Sequence, residues 1–105
     1  MAVLAIVNVK GCKKQDYENL RKELRWDQNQ PKGLIIHIAG IDEAGDMQVA
    51  DIWETADDFK KYGDTTLMPA FKKFNLPEPG IKIYPIHNVN VFEQIEDLKP
   101  AGITR

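Results

Sequence analysis

The sequence predicts an α+β domain in which four strands form one antiparallel sheet and two helices cover one face of it, in the order β-α-β-β-α-β. Three observations lead there. Apolar, β-branched runs of strand length recur, two stretches carry apolar residues at helical spacing, and short turn-rich connections between them leave few other topologies. At 105 residues the chain has the length of one domain, and 43% hydrophobic with 29% charged residues excludes the disordered, collagenous and membrane classes.

The first strand is read at residues 2–10, where β-branched density up to Lys10-Gly11 predicts burial on both faces. Residues 13–26 read as an amphipathic helix, with Tyr17, Leu20 and Leu24 on its apolar stripe and Lys14, Glu18, Arg21, Lys22 and Glu23 around the rest. A polar loop over residues 27–33 leads into a nearly wholly apolar second strand at 34–41, a turn at 42–46 and a returning third strand at 47–54. Thr55 is placed to cap a second helix whose first turn carries Asp57 and Asp58 at its positive dipole end. Phe59 and Tyr62 supply its buried side, the helix restarts around residues 63–66, and Leu67, Ala70, Phe71 and Phe74 continue the apolar face, with Pro69 tolerated near the restart. After a stiff turn at 76–80, alternation over 81–91 predicts a long fourth strand. The domain is thus expected over residues 1–91, followed by an acidic C-terminal tail at 92–105 that either frays or drapes over a partner protomer.

Two right-handed β-α-β crossovers sharing one antiparallel sheet make the arrangement ferredoxin-like, with both helices on one face. On the second and third strands, one side carries Leu34, Ile36, Ile38, Ala50 and Ile52, and the other carries Ile35, His37, Ala39, Val49, Asp51 and Trp53. The purely apolar side is the expected helix-packing face, which turns His37, Asp51 and Trp53 toward the uncovered face. A second copy of the sheet is the simplest cover for such a patch, so a homodimer with a two-fold axis is expected. Pairing Ile41 with Met47 across the hairpin sets Ala39 opposite Val49, His37 opposite Asp51 and Ile35 opposite Trp53. A carboxylate beside an imidazole fixes its tautomer and favours its protonated form, the arrangement a general acid/base needs.

The element order, the segment Gly33-Leu34-Ile35-Ile36-His37-Ile38-Ala39-Gly40, the run Val49-Ala50-Asp51-Ile52-Trp53-Glu54-Thr55 followed by Phe59, and the closing Tyr84-Pro85-Ile86-His87-Asn88 resemble the dimeric α/β-barrel superfamily. Within it the chain is most similar, over residues 2–91, to small antibiotic-biosynthesis-monooxygenase-like proteins. The resemblance implies two sheets packed face to face into a barrel, each protomer holding a pocket between its sheet and helices for an apolar or aromatic small molecule. Chemistry in this superfamily ranges over cofactor-independent oxygenation of polycyclic phenols, haem degradation and isomerisation. The haem-degrading pattern of an asparagine on the first strand with tryptophan and histidine around the second helix is met only at Asn8, since neither residue type occurs between Thr55 and Asn75.

His37 and Asp51 are the candidate catalytic pair, read either as an acid/base dyad or as a buried structural bridge. Asn8, Trp53, Phe59, Tyr62, Phe71 and His87 are candidate substrate contacts, each with a bland alternative: core packing for the aromatic residues, a satisfied strand-end group for His87, a backbone bond for Asn8. No metal site and no tightly bound cofactor are expected, since no GxGxxG, P-loop, HExxH or CxxC motif occurs. A single cysteine, Cys12, read as exposed at a strand end, cannot close an intrachain disulfide, which fits a cytoplasmic protein. Fourteen basic against sixteen acidic residues, without a basic stripe, argue against nucleic acid, and the short apolar N-terminus argues against a membrane span. The functional expectation is an enzyme of the cofactor-independent monooxygenase type, or an isomerase or lyase using the same base. The alternative is a non-catalytic small-ligand-binding or stress-associated dimeric module whose cavity stores or senses a small molecule.

Overall fold

Alternation shapes the central strand β1 (Val3–Val9): Val3, Ala5, Val7 and Val9 are buried, Leu4 and Ile6 are half-buried, and Asn8 is exposed. The computed structural model describes residues 1–99. After β1 come α1 (Lys14–Leu24), β2 (Leu34–Ile41), β3 (Met47–Trp53), α2 (Ala56–Tyr62), a π-helical turn (Gly63–Leu67), α3 (Met68–Lys73) and β4 (Gly80–Pro85). The sheet is antiparallel throughout, in the order β2-β3-β1-β4, which is the ferredoxin-like arrangement the element order predicts.

Local chemistry explains the boundaries. Asp16 accepts a hydrogen bond from the Lys13 backbone N–H at 2.9 Å and so caps α1, while Arg25 adopts the left-handed conformation (φ 53°) that stops it. The Lys13 ammonium ties that helix start to the β2–β3 hairpin through the Ala44 carbonyl at 2.9 Å and the Asp46 carboxylate at 2.7 Å. In the same hairpin Asp42 accepts from the backbone N–H of Ala44 and of Asp46 and from the Gln48 amide, bonds that hold its carboxyl below the usual range. Thr55 caps α2, its hydroxyl accepting from Asp58 N–H at 3.0 Å. The second helix does not break at Gly63 as expected: Gly63 is right-handed (φ −56°), and the chain runs through the π-turn into α3, with Pro69 in its first turn.

The core lies between the sheet and these helices. Val3, Ala5, Val7 and Val9 meet Met47 and Trp53 of β3, Leu20 of α1 and Phe59, Leu67, Ala70 and Phe71 of the second helical stretch. Each large apolar side chain buried there contributes roughly 1.5–3 kcal/mol of transfer free energy.

Four expectations need correction. The sidedness of the sheet is inverted: Asp51 and Trp53 are 6% and 1% exposed beneath the helices, His37 reaches α1, and Ile38 is 56% exposed on the uncovered face. Counting apolar residues misassigned the faces because the polar groups on β2 and β3 find hydrogen-bonding partners inside the helix–sheet layer. β1 is buried on one face only, since the described residues supply no second layer. A bulge at Ile35 puts Leu34, rather than Ile35, opposite Trp53, leaving Ile35 52% exposed, while Ile36↔Ile52, His37↔Asp51, Ala39↔Val49 and Ile41↔Met47 pair in register. The fourth strand ends at Pro85 instead of residue 91, and a 3₁₀ turn (Glu93–Leu98) follows with Phe92 and Leu98 exposed. The rest of the expected tail, residues 100–105, lies outside the described residues.

Candidate functional site

His37 on β2 and Asp51 on β3 are opposite each other in the ladder, and His37 Nδ1 lies 2.7 Å from Asp51 Oδ1. The other carboxylate oxygen accepts from the Trp53 indole N–H at 3.2 Å. An indole is a donor only and an ionised carboxylate an acceptor only, so the network assigns the His37 proton to Nδ1. In that tautomer Nε2 is an acceptor, and the Tyr17 hydroxyl of α1 donates to it at 2.6 Å. The result is an unbroken line from Tyr17 through His37 to Asp51, running from helix to sheet, with Trp53 anchoring its far end. Among the described residues no buried side-chain nitrogen or oxygen is left without a partner.

Aromatic rings enclose the line. The Tyr17 and His37 rings are parallel with centroids 6.0 Å apart, and Trp26, just past α1, sits 5.1 Å from His37 and 5.5 Å from Tyr17. The Trp26 indole N–H donates to the Tyr62 hydroxyl at 2.6 Å, and Tyr62 and Phe59 each lie 5.6 Å from Trp53. Trp26 is held there by a bidentate clamp, Arg21 Nε to Asp27 Oδ1 at 2.9 Å and Nη2 to Oδ2 at 2.6 Å, which pins the chain either side of it. Burial pushes the Tyr17 phenol up to about 12, with the carboxylates of Glu18, Asp51 and Asp27 acting in the same direction and Arg21 opposing them. Burial raises Tyr62 as well. Both phenols are therefore neutral at neutral pH, Tyr17 donating to His37 and Tyr62 accepting from Trp26.

The structure brings His37, Asp51, Trp53, Phe59 and Tyr62 together and buries Phe71 on α3 in the adjoining core. Two candidate contacts lie elsewhere. Asn8 is exposed on the uncovered side of the sheet, where it lines an open depression of about 500 Å³ with Lys10, Asp42, Asp46, Gln48, Glu78 and Gly80. His87 is exposed beyond the end of β4. Cys12, expected to be exposed, is buried (1%), and burial beside the charges of Asp16 and Asp46 pushes its thiol up to about 11, so it is protonated and unreactive at neutral pH. Sequence reasoning missed Tyr17 and Trp26, which it assigned to the helix stripe and the helix end. The available signal was chemical: each has an apolar body with a polar tip that needs a partner once buried.

No family model matches the chain, and no curated protein matches it by sequence. Solved structures do match. A proposed antibiotic biosynthesis monooxygenase from Deinococcus radiodurans superposes with a TM-score of 0.58 at 15% identity, over 88% of this chain and 99% of that one. A conserved protein from Methanosarcina mazei gives 0.60 at 20% identity, over 80% and 91%. SnoaB, a cofactor-independent oxygenase from Streptomyces nogalater, gives 0.57 at 12% identity, over 84% and 93%. With superpositions that cover four-fifths or more of this chain and its own β2-β3-β1-β4 antiparallel sheet, the chain has the ferredoxin-like fold of the antibiotic-biosynthesis-monooxygenase-like proteins.

Proposed function

We propose that this protein is a small-molecule enzyme of the cofactor-independent monooxygenase type, working as a homodimer on an apolar or aromatic hydroxy compound. The single observation that carries the proposal is the Tyr17–His37–Asp51 line, because a carboxylate fixing one imidazole nitrogen and a hydroxyl on the other is the arrangement of an oriented base. Its fold is shared with a cofactor-independent oxygenase, which supports the reaction class. In this reading His37 accepts the phenolic or enolic proton, and the imidazolium so formed is stabilised by Asp51. The resulting electron-rich anion reacts with dioxygen: one oxygen atom enters the substrate and the other leaves as water with two substrate hydrogens, so the substrate itself supplies the electrons. Trp26, Trp53, Phe59 and Tyr62 keep bulk water away from the anion. The homodimer is supported by the uncovered sheet face, where Ile38 and Tyr84 are 56% and 49% exposed beside half-buried Leu4, Ile6, Ile36 and Ile52.

Oxygen uptake with anthrone and a naphthoquinol tests the activity. Wild-type protein is expected to consume one dioxygen per anthrone converted, and His37→Ala to lose about 10²–10⁴-fold in rate. Tight binding of these compounds without oxygen uptake would reject turnover and favour a ligand-binding module.

A further inference from the structure

His37 has a quarter of its side chain exposed (25%), yet each of its nitrogens already has a partner within 2.7 Å, Asp51 on Nδ1 and Tyr17 on Nε2. A substrate hydroxyl cannot donate to an imidazole nitrogen whose lone pair is taken. It can donate to the Tyr17 oxygen, because a hydroxyl that gives its one proton to His37 still has acceptor capacity. Tyr17 also lies further toward the helix side than His37 does, being carried by α1 while His37 stands on the sheet.

We infer that Tyr17 is the group that touches the substrate, relaying the proton of a bound phenol or enol to His37 as its own hydroxyl proton moves onto Nε2. The step, which rests on the oxygenase-type reading above, moves protons only. The substrate O–H bond breaks and its proton bonds to the Tyr17 oxygen; the Tyr17 O–H bond breaks and its proton bonds to His37 Nε2. The products are a substrate oxyanion, a regenerated neutral tyrosine that donates to that oxyanion, and an imidazolium whose two N–H groups face Tyr17 and Asp51. A tyrosine held neutral by burial suits the task, since it never competes with the substrate as the anion. The relay thereby selects hydroxy compounds more acidic than tyrosine itself. The charged and titratable groups around it are Glu18 and Arg21 on its own helix, Asp27 in the following loop, His37 on β2 and Asp51 on β3, while Trp26 separates it from Tyr62 of α2.

para-Nitrophenol is a suitable probe because its phenolate is coloured, and para-nitroanisole, which has no proton to give, is its matched control. With wild-type protein the bound nitrophenol is expected to ionise with a midpoint lowered by about one pH unit, tenfold in the ionisation equilibrium. In Tyr17→Phe and in His37→Gln the midpoint should return to that of the free probe, with nitroanisole affinity changed by less than about threefold. A lowered midpoint that survives in Tyr17→Phe and vanishes in His37→Gln overturns the relay and leaves His37 as a direct base. No lowering in the wild type overturns the base reading and the relay together. Should Tyr17→Phe fold poorly, fluorotyrosine at residue 17 keeps the hydroxyl and makes it more acidic; the relay requires the midpoint to move further down, and an unchanged midpoint overturns it.

Discussion

Tyr17 and Cys12 both keep their protons because the fold removes them from water, one at the site and one beneath the start of α1. A group whose pKa is raised on folding adds stability that is complete below its unfolded value and is lost as pH climbs through its folded value. For Cys12 that window runs from the ordinary 9.0 to about 11, and for Tyr17 from 10.0 to about 12. Urea midpoints measured against pH should therefore hold steady to about pH 9 and fall above it. The fall should be shallower in the lower window for Cys12→Ala and in the upper window for Tyr17→Phe, compared with wild type. Identical slopes in all three proteins would mean that neither group is desolvated as described. At this scale the candidate pair His37–Asp51 was legible from the hairpin alone, since the turn fixes the cross-strand neighbours from Ile41 back to Ile36, short of the bulge at Ile35. Tyr17 was not, because its partner is 20 residues away across the helix–sheet layer and no local spacing encodes that approach.

Among the elements, α1 ends at the expense of some strain. Arg25 occupies the left-handed region with an exposed side chain, a conformation that costs an L-residue about 1–2 kcal/mol and glycine nothing. Arg25→Gly is expected to stabilise the protein by about 0.5–1 kcal/mol, after the larger chain entropy of glycine in the unfolded state is subtracted. A lowered melting temperature would show that the Arg25 side chain makes up for its backbone. The order of elements, both helix starts and the hairpin register over Ile36 to Ile41 could all be read from periodicity, turn position and capping residues. The π-turn could not, as Gly63 and the Thr65-Thr66 pair read as a break until tertiary packing on both flanks, Phe59 before and Leu67 and Phe71 after, holds the helix together. The early end of β4 escaped for a related reason. Alternation continues past Pro85, but β1 begins at Val3 and offers only the Ala2 carbonyl, bonded by Ile86 N–H, beyond its last paired residue.

For the whole molecule, the sheet has one face sealed by helices and one left apolar and open, which is the basis for expecting two copies back to back. Ile38→Asp places a charge on that open face, on the edge strand β2, without touching the core. Light scattering should report a dimer for the wild type and a monomer for Ile38→Asp, with unfolding of the isolated chain shifted by no more than about 0.5 kcal/mol. A variant that stays dimeric would move the interface off this face. Sidedness itself was the part of the fold that sequence misjudged, since hydrophobic counting weighs residues singly while Asp51 and His37 are buried as a mutually satisfied set. The bulge at Ile35 gives that sidedness a further meaning. With Ile35 and Ile36 adjacent and identical, a chain one isoleucine shorter would run Leu-Ile-His into the same ladder and still meet Trp53, Ile52 and Asp51 in turn. The strand thus carries one spare residue. When this chain is aligned with shorter ones of the same fold, a gap belongs there, upstream of His37, and the functional columns downstream keep their places.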